Sequence, residues 1–210
     1  MKIKGLQDED FINYRKPSMF ISIGSCDWKC CVEGGFDSSI CQNSPLAQAE
    51  EIDISYERLH ERYMNNPITQ AIVIGGLEPL TQFWDVLKLI DLFRAKGCMD
   101  DFVIYTGYYP YEIGEALYQL SHYDNIIIKF GRFQLNNEGI DDKVLGVHLA
   151  SDNQYAYKLN KGSQLIIRAM IDNDGYCPCM TVKRDETKCS CLAFRTSSSP
   201  RECHCGMFRK

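Results

Sequence analysis

The stretch Ser18-Met19-Phe20-Ile21-Ser22-Ile23-Gly24-Ser25-Cys26-Asp27-Trp28-Lys29-Cys30 is an apolar run that ends at glycine and passes at once into a loop bearing two thiols. Its first seven residues have the length and composition of a strand buried on both faces, as in parallel sheets. Four similar runs follow at 71–75 (AIVIG), 102–106 (FVIYT), 125–130 (NIIIKF) and 144–149 (VLGVHL). Helical patterns separate them. Leu80, Phe83, Trp84, Leu87, Ile90 and Phe93 recur at helical spacing and are expected to form one core-facing stripe. Ser55 opens a helix that Asn66-Pro67 ends, and residues 110–122 read as a third, weaker helix. This βαβα order predicts an α/β fold on a parallel sheet.

With 45% hydrophobic and 24% charged residues among 210, the chain has the composition of a globular protein. No apolar run approaches the ~18–20 residues of a membrane span, and Met1-Lys2-Ile3-Lys4-Gly5 lacks the apolar core of a signal peptide. A cytoplasmic protein without a membrane partner is therefore expected. A net charge of -5 argues against nucleic acid as a partner.

Eleven cysteines, at 26, 30, 31, 41, 98, 177, 179, 189, 191, 203 and 205, point to metal or redox chemistry before a disulfide scaffold. Cys26 and Cys30 sit on the loop at the C-terminal end of the first apolar run, where α/β sheets usually bind ligands. Thiolates there suit iron–sulfur or zinc. Cys31 is expected to diverge from its neighbour Cys30, which makes Cys41 the better third ligand. Cys98 reads as an inert thiol, and His60, His122 and His148 as isolated surface or core residues.

Residues 177–210 carry seven Lys or Arg against three Asp or Glu, so the chain reads as two parts, 1–162 and 163–210. Ser163 can cap a short helix whose Leu165, Ile166, Ala169 and Met170 make an apolar face, stopped by Asn173-Asp174-Gly175. Beyond it come three pairs, Cys177-Pro178-Cys179, Cys189-Ser190-Cys191 and Cys203-His204-Cys205. A segment so poor in apolar residues needs a staple, which a metal cluster supplies. Four of the six thiols can hold one cluster and leave two for a redox-active disulfide; a structural zinc or iron–sulfur knot is the other reading.

The first part resembles a radical S-adenosylmethionine (SAM) enzyme, more narrowly the activating enzyme of anaerobic (class III) ribonucleotide reductase. That family has C-x3-C-x2-C with Asn two residues after the last Cys, and this chain has C-x3-C-x10-C-Q-N, with residues 31–40 where the family has two. Ile74-Gly75-Gly76-Leu77-Glu78-Pro79-Leu80 resembles the family's G-G-E-P stretch with one residue added. Tyr105-Thr106-Gly107-Tyr108 resembles its Y-T-G-Y, and Ser151-Asp152-Asn153-Gln154 its S-S-N-Q. The resemblance spans residues 15–160 or so. It implies a partial β/α barrel, a [4Fe–4S] cluster on Cys26, Cys30 and Cys41 with one open iron, and SAM held by Gly75, Gly76, Glu78, Pro79, Tyr105, Thr106 and Asn153. The implied activity is reductive cleavage of SAM to a 5′-deoxyadenosyl radical that installs a glycyl radical on a partner reductase.

The tail, from about 163 to 210, resembles the catalytic chain of ferredoxin–thioredoxin reductase, with Ser190 where that family has Pro. This resemblance implies a second [4Fe–4S] cluster on Cys177, Cys189, Cys191 and Cys203. Cys179 and Cys205 would form the dithiol/disulfide, and His204 would serve proton transfer. It also implies a ferredoxin or flavodoxin electron donor, whose acidic surface the basic tail would suit. Two other readings remain from the residues: a ferredoxin-dependent disulfide reductase whose first part only binds, and a zinc-stabilised interaction protein.

Overall fold

Lys2–Asp10 forms β1 and Ser18–Ile23 forms β2, paired antiparallel with Ile3 opposite Ile23. The computed structural model describes residues 1–160, 162–197 and 202–208. They divide into two units, Met1–Thr106 and Gly107–Lys210, so the cysteine-rich tail shares its unit with residues from 107 onward.

In the first unit β2 leads into α1 (Lys29–Gly34) and α2 (Ser44–Gln48). The short β3 (Ile52–Asp53), α3 (Tyr56–Met64), β4 (Ala71–Gly75), α4 (Phe83–Ala95) and β5 (Asp101–Tyr105) follow. Strand order is β3-β1-β2-β4-β5. The apolar strands β2, β4 and β5 run parallel, with Ser22 beside Gly75 and Ile74 beside Ile104. Ser55 caps α3 by accepting the Arg58 N–H at 3.1 Å, as its position before the helix predicts. Helix α4 buries Val86, Leu87, Leu89, Ile90 and Phe93. Trp84 is not part of that face. It is 65% exposed, because one residue after Phe83 the helix has turned by ~100° onto the side of Lys88 and Asp91.

The second unit contains α5 (Gly114–Leu120), β6 (Ile126–Phe130), β7 (Ile140–Asp142), β8 (Val147–Leu149) and β9 (Tyr155–Lys158). Helices α6 (Ser163–Asp172) and α7 (Leu192–Arg195) complete it. Strand β9 lies antiparallel to β6. The run at 144–149 is not a buried parallel strand. The Asp142 carboxylate accepts the N–H groups of Val144 and Leu145, each at 2.8 Å, and Gly146 takes φ +73°. The chain therefore turns, and only β8 extends, in an antiparallel hairpin with β7. Helix α6 keeps part of the expected face: Met170 is buried and Ile166 and Ala169 half-buried, with Ser163 and Ile167 buried beside them, whereas Leu165 is 79% exposed.

Thus a mixed α/β architecture with parallel central strands carries a cysteine-rich segment. Among the described residues no helix is long and apolar enough to cross a membrane. Phe93→Ala is expected to cost about 3–5 kcal/mol in chemical denaturation, and Trp84→Ala less than about 0.5 kcal/mol. Equal losses would overturn the assignment of the α4 faces.

Candidate functional site

Parallel strands release their loops at one edge of the sheet, and in the first unit three such loops meet. The first follows β2. Trp28 adopts φ +57°, and its carbonyl accepts the N–H groups of Cys31 and Val32, so α1 starts immediately after the Cys26 turn. Cys26 Sγ accepts the Trp28 N–H at 3.3 Å. Gly35, at φ +67°, closes α1, and Phe36 donates back to the Cys31 carbonyl at 3.1 Å. A 3-10 turn at Ser38–Ile40, capped by the Asp37 carboxylate, then delivers Cys41. The inserted residues are therefore a folded return. It brings Cys41 close enough for its charge to act on Cys30.

The second loop follows β4. Glu78 donates its N–H to the Ser25 carbonyl at 2.9 Å, which joins this loop to the first. Its buried carboxylate accepts the Leu80 N–H at 3.1 Å and the Thr106 hydroxyl at 2.8 Å, which ties in the end of β5. Gly76 sits at φ +79°, and a Cβ there would stand 2.7 Å from Leu46 Cδ2. Tyr105 gives its hydroxyl to the Asn13 carbonyl. Hydrogen bonds thus join the loop of Cys26, the Gly75–Pro79 loop and Thr106 at one edge, whereas the sulfur atoms of Cys26, Cys30 and Cys41 do not form a group within 4.8 Å of one another.

Burial raises the Cys26 thiol to about 11 and also raises Cys30. A thiol held neutral by desolvation becomes a thiolate when a metal replaces its proton, so loading releases protons. Cys31 does not diverge from Cys30. The two Sγ atoms are 3.9 Å apart, and Cys31 is 3% exposed.

In the second unit three short segments bring six thiols together. Cys177 donates its N–H to the Thr187 carbonyl at 2.8 Å and Cys189 to the Gly175 carbonyl at 2.9 Å, a two-bond ribbon that sets these cysteines diagonally across the antiparallel Tyr176–Lys188 bridge. Tyr155 donates its hydroxyl to Ser190 Oγ at 2.6 Å. The Cys191 carbonyl starts α7 by accepting from Phe194 and Arg195. Cys203 opens a tight turn closed at Gly206, and its Sγ accepts the Phe208 N–H at 3.0 Å. Phe208 and Phe194 pack edge-on to Tyr155, which anchors the tail to β9.

The sulfur atoms of Cys177, Cys179 and Cys205 lie within 4.8 Å of one another, a group able to hold a metal ion or an iron–sulfur centre. Cys203 Sγ is 3.4 Å from Cys205 Sγ. That hydrogen bond raises the Cys203 thiol and lowers Cys205. Burial pushes Cys177 up to about 11 and raises Cys189 as well. Exposure is graded: Cys177, Cys189 and Cys203 are buried, Cys191 and Cys205 half-buried, and Cys179 exposed. His204 is exposed on the same turn as Cys205.

No family model, curated protein or solved structure matches this chain.

Asn153, also in the second unit, donates from Nδ2 to the Tyr109 hydroxyl and the Arg132 carbonyl, both at 3.0 Å. Its buried Oδ1 has no hydrogen-bond partner among the described residues, so it can take a donor from a ligand. Sequence reasoning missed the support beneath it. Arg132 forms a buried two-pronged pair with Glu112, at 2.6 and 2.8 Å, and Glu112 also accepts the Tyr109 N–H. Only Gly131-Arg132 directly after an apolar strand could have signalled it.

The group of Cys177, Cys179 and Cys205 suits a metal ion or an iron–sulfur centre. Metal analysis after anaerobic reconstitution is expected to find metal bound to the chain, and Cys177→Ala to lower that loading. A wild-type chain that takes up no metal would overturn this.

Proposed function

We propose that the chain is a radical SAM activating enzyme on a partial β/α barrel, which installs a glycyl radical on an anaerobic ribonucleotide reductase. One observation carries this reading. A thiol loop, a two-glycine loop with a buried glutamate, and a buried threonine meet at the C-terminal edge of β2, β4 and β5, joined through Ser25, Glu78 and Thr106. When bound, a reduced [4Fe–4S] cluster and SAM supply a 5′-deoxyadenosyl radical that takes hydrogen from a glycine of the partner.

The chain's own residues supply position and shielding. Cys26, Cys30 and Cys41 would hold the cluster on a loop fixed by Trp28 and Gly35. Glu78, oriented by Leu80 and Thr106, offers the negative charge that SAM's ammonium needs. Gly76 lets the loop turn at φ +79° with Leu46 packed against it, where a Cβ would stand 2.7 Å from Leu46 Cδ2.

For the tail we propose a ferredoxin- or flavodoxin-driven disulfide reductase. Cys177, Cys189, Cys191 and Cys203, three of them buried, would hold the second cluster, and the accessible Cys179 and Cys205 would form the dithiol. One thiolate attacks a partner disulfide and releases a thiolate; the second resolves the mixed disulfide. Two electrons pass to the partner and leave Cys179 and Cys205 as a disulfide; a cluster on the other four thiols would supply one-electron chemistry for its re-reduction by the donor. The exposed Cys179, beside Cys177 and Cys205, favours this role over a purely structural knot.

Dithionite-reduced protein with SAM is expected to form 5′-deoxyadenosine. Cys26→Ala or Cys30→Ala should abolish it, and Glu78→Gln should weaken SAM binding about 10- to 100-fold through a lost charged hydrogen bond. A fully iron-loaded protein that makes no 5′-deoxyadenosine sinks the radical reading and leaves a ferredoxin-dependent disulfide reductase. Cys179→Ser and Cys205→Ser should abolish disulfide reduction while SAM cleavage persists; loss of SAM cleavage instead would make the tail an electron relay.

A further inference from the structure

The tail reading above parts Cys177 from Cys179 and Cys205, yet the structure sets these three together. Their sulfur atoms all lie within 4.8 Å of one another, and among the described residues no other thiol joins the group. Two turns bring this about. The Met180 N–H closes the first on the Cys177 carbonyl at 3.1 Å, and the Gly206 N–H closes the second on the Cys203 carbonyl at 2.8 Å. Cys179 and Cys205 are each the third residue of their turn. The spacing separates a single ion from a cube. Thiolates placed tetrahedrally on one zinc, bonded at ~2.3 Å, stand about 3.8 Å from one another, within the span found here. A four-iron cube puts each thiolate on a different iron, so its ligand sulfurs stand farther apart.

We propose that Cys177, Cys179 and Cys205 hold one zinc ion, with water in the fourth position, and that this ion masks the Cys179 and Cys205 dithiol. This rests on the disulfide-reductase reading of the tail and adds its regulation. Cys179 is exposed and Cys205 half-buried, so solvent reaches the fourth position. Thiolates select zinc over the harder divalent ions. Loading exchanges three thiol protons for one zinc ion, and nothing is oxidised or reduced. A free thiolate is the nucleophile in disulfide exchange, and a thiolate that shares its charge with zinc is a poorer one. A chelator that takes the ion returns the protons and frees the pair. Cys177 would also serve the second cluster, so zinc and that cluster exclude each other.

The test uses the full chain, prepared anaerobically without iron and titrated with zinc against a colorimetric chelator. Cys179→Ser and Cys205→Ser should each weaken one zinc site by more than the ~10- to 100-fold that losing an outer-shell partner costs. Cys191→Ser should leave zinc binding as in wild type. Iodoacetamide labelling of Cys179, followed by mass spectrometry, reads the mask. With zinc at ten times its dissociation constant, labelling should slow about tenfold, and a chelator should restore it. In Cys205→Ser, labelling of Cys179 should no longer respond to zinc; if that variant does not fold, Cys177→Ser serves in the same way. Zinc binding that survives Cys179→Ser and Cys205→Ser but is lost in Cys191→Ser would overturn the site. Labelling of wild-type Cys179 that ignores bound zinc would overturn the mask. Zinc-free, cluster-reconstituted protein that reduces no disulfide, while zinc still slows labelling, would instead sink the reductase reading and leave the metal site.

Discussion

Three loops reach one edge of a sheet only when the strands beneath them share a direction and agree in register. In the first unit Ser22 lies beside Gly75 and Ile74 beside Ile104, so the thiol loop, the glycine–glutamate loop and Thr106 emerge level with one another. A slip of one residue would turn every side chain of a strand to the opposite face. Here both faces are apolar, so the pattern alone does not fix the register. The hydrogen bonds through Glu78, to Ser25, Leu80 and Thr106, add a polar lock at the place where misalignment would matter most.

The second unit solves a different problem. Its tail has too few apolar residues to make a core, and six of its side chains are thiols. Phe194 and Phe208 settle against Tyr155, and Phe208 also against Phe130, so β6 and β9 lend the tail an aromatic foundation. The ribbon between Cys177 and Cys189 then fixes the spacing of two pairs, and the Cys203 turn brings in the third. The gradient from buried Cys189 to exposed Cys179 separates thiols suited to holding a cluster from those suited to meeting a partner.

The apolar runs at 18–24, 71–75, 102–106 and 125–130 were legible because burial on both faces leaves little choice of residue. So were the Ser55 cap and the Asn173-Asp174-Gly175 stop, where local chemistry decides. Strand β1 was not legible, since a strand carrying Gly5 and many charges resembles a loop. The run at 144–149 misled because Asp142 caps a turn within it, an effect invisible to hydrophobicity. Trp84 and Leu165 misled for a shared reason: a large apolar side chain next to a helical stripe need not belong to it. Clustering of the cysteines could be read from their spacing, but the approach of Cys31 to Cys30 depended on a helix beginning inside the motif.

The chain has two tryptophans, and the structure gives them contrasting places. Trp28 stands between Cys26 and Cys30 on the turn that starts α1, whereas Trp84 faces water on α4. Intrinsic fluorescence therefore has one emitter within quenching range of any iron held by that loop and one that gives a steady background. Metal binding to that loop would therefore be reported by Trp28 without a label.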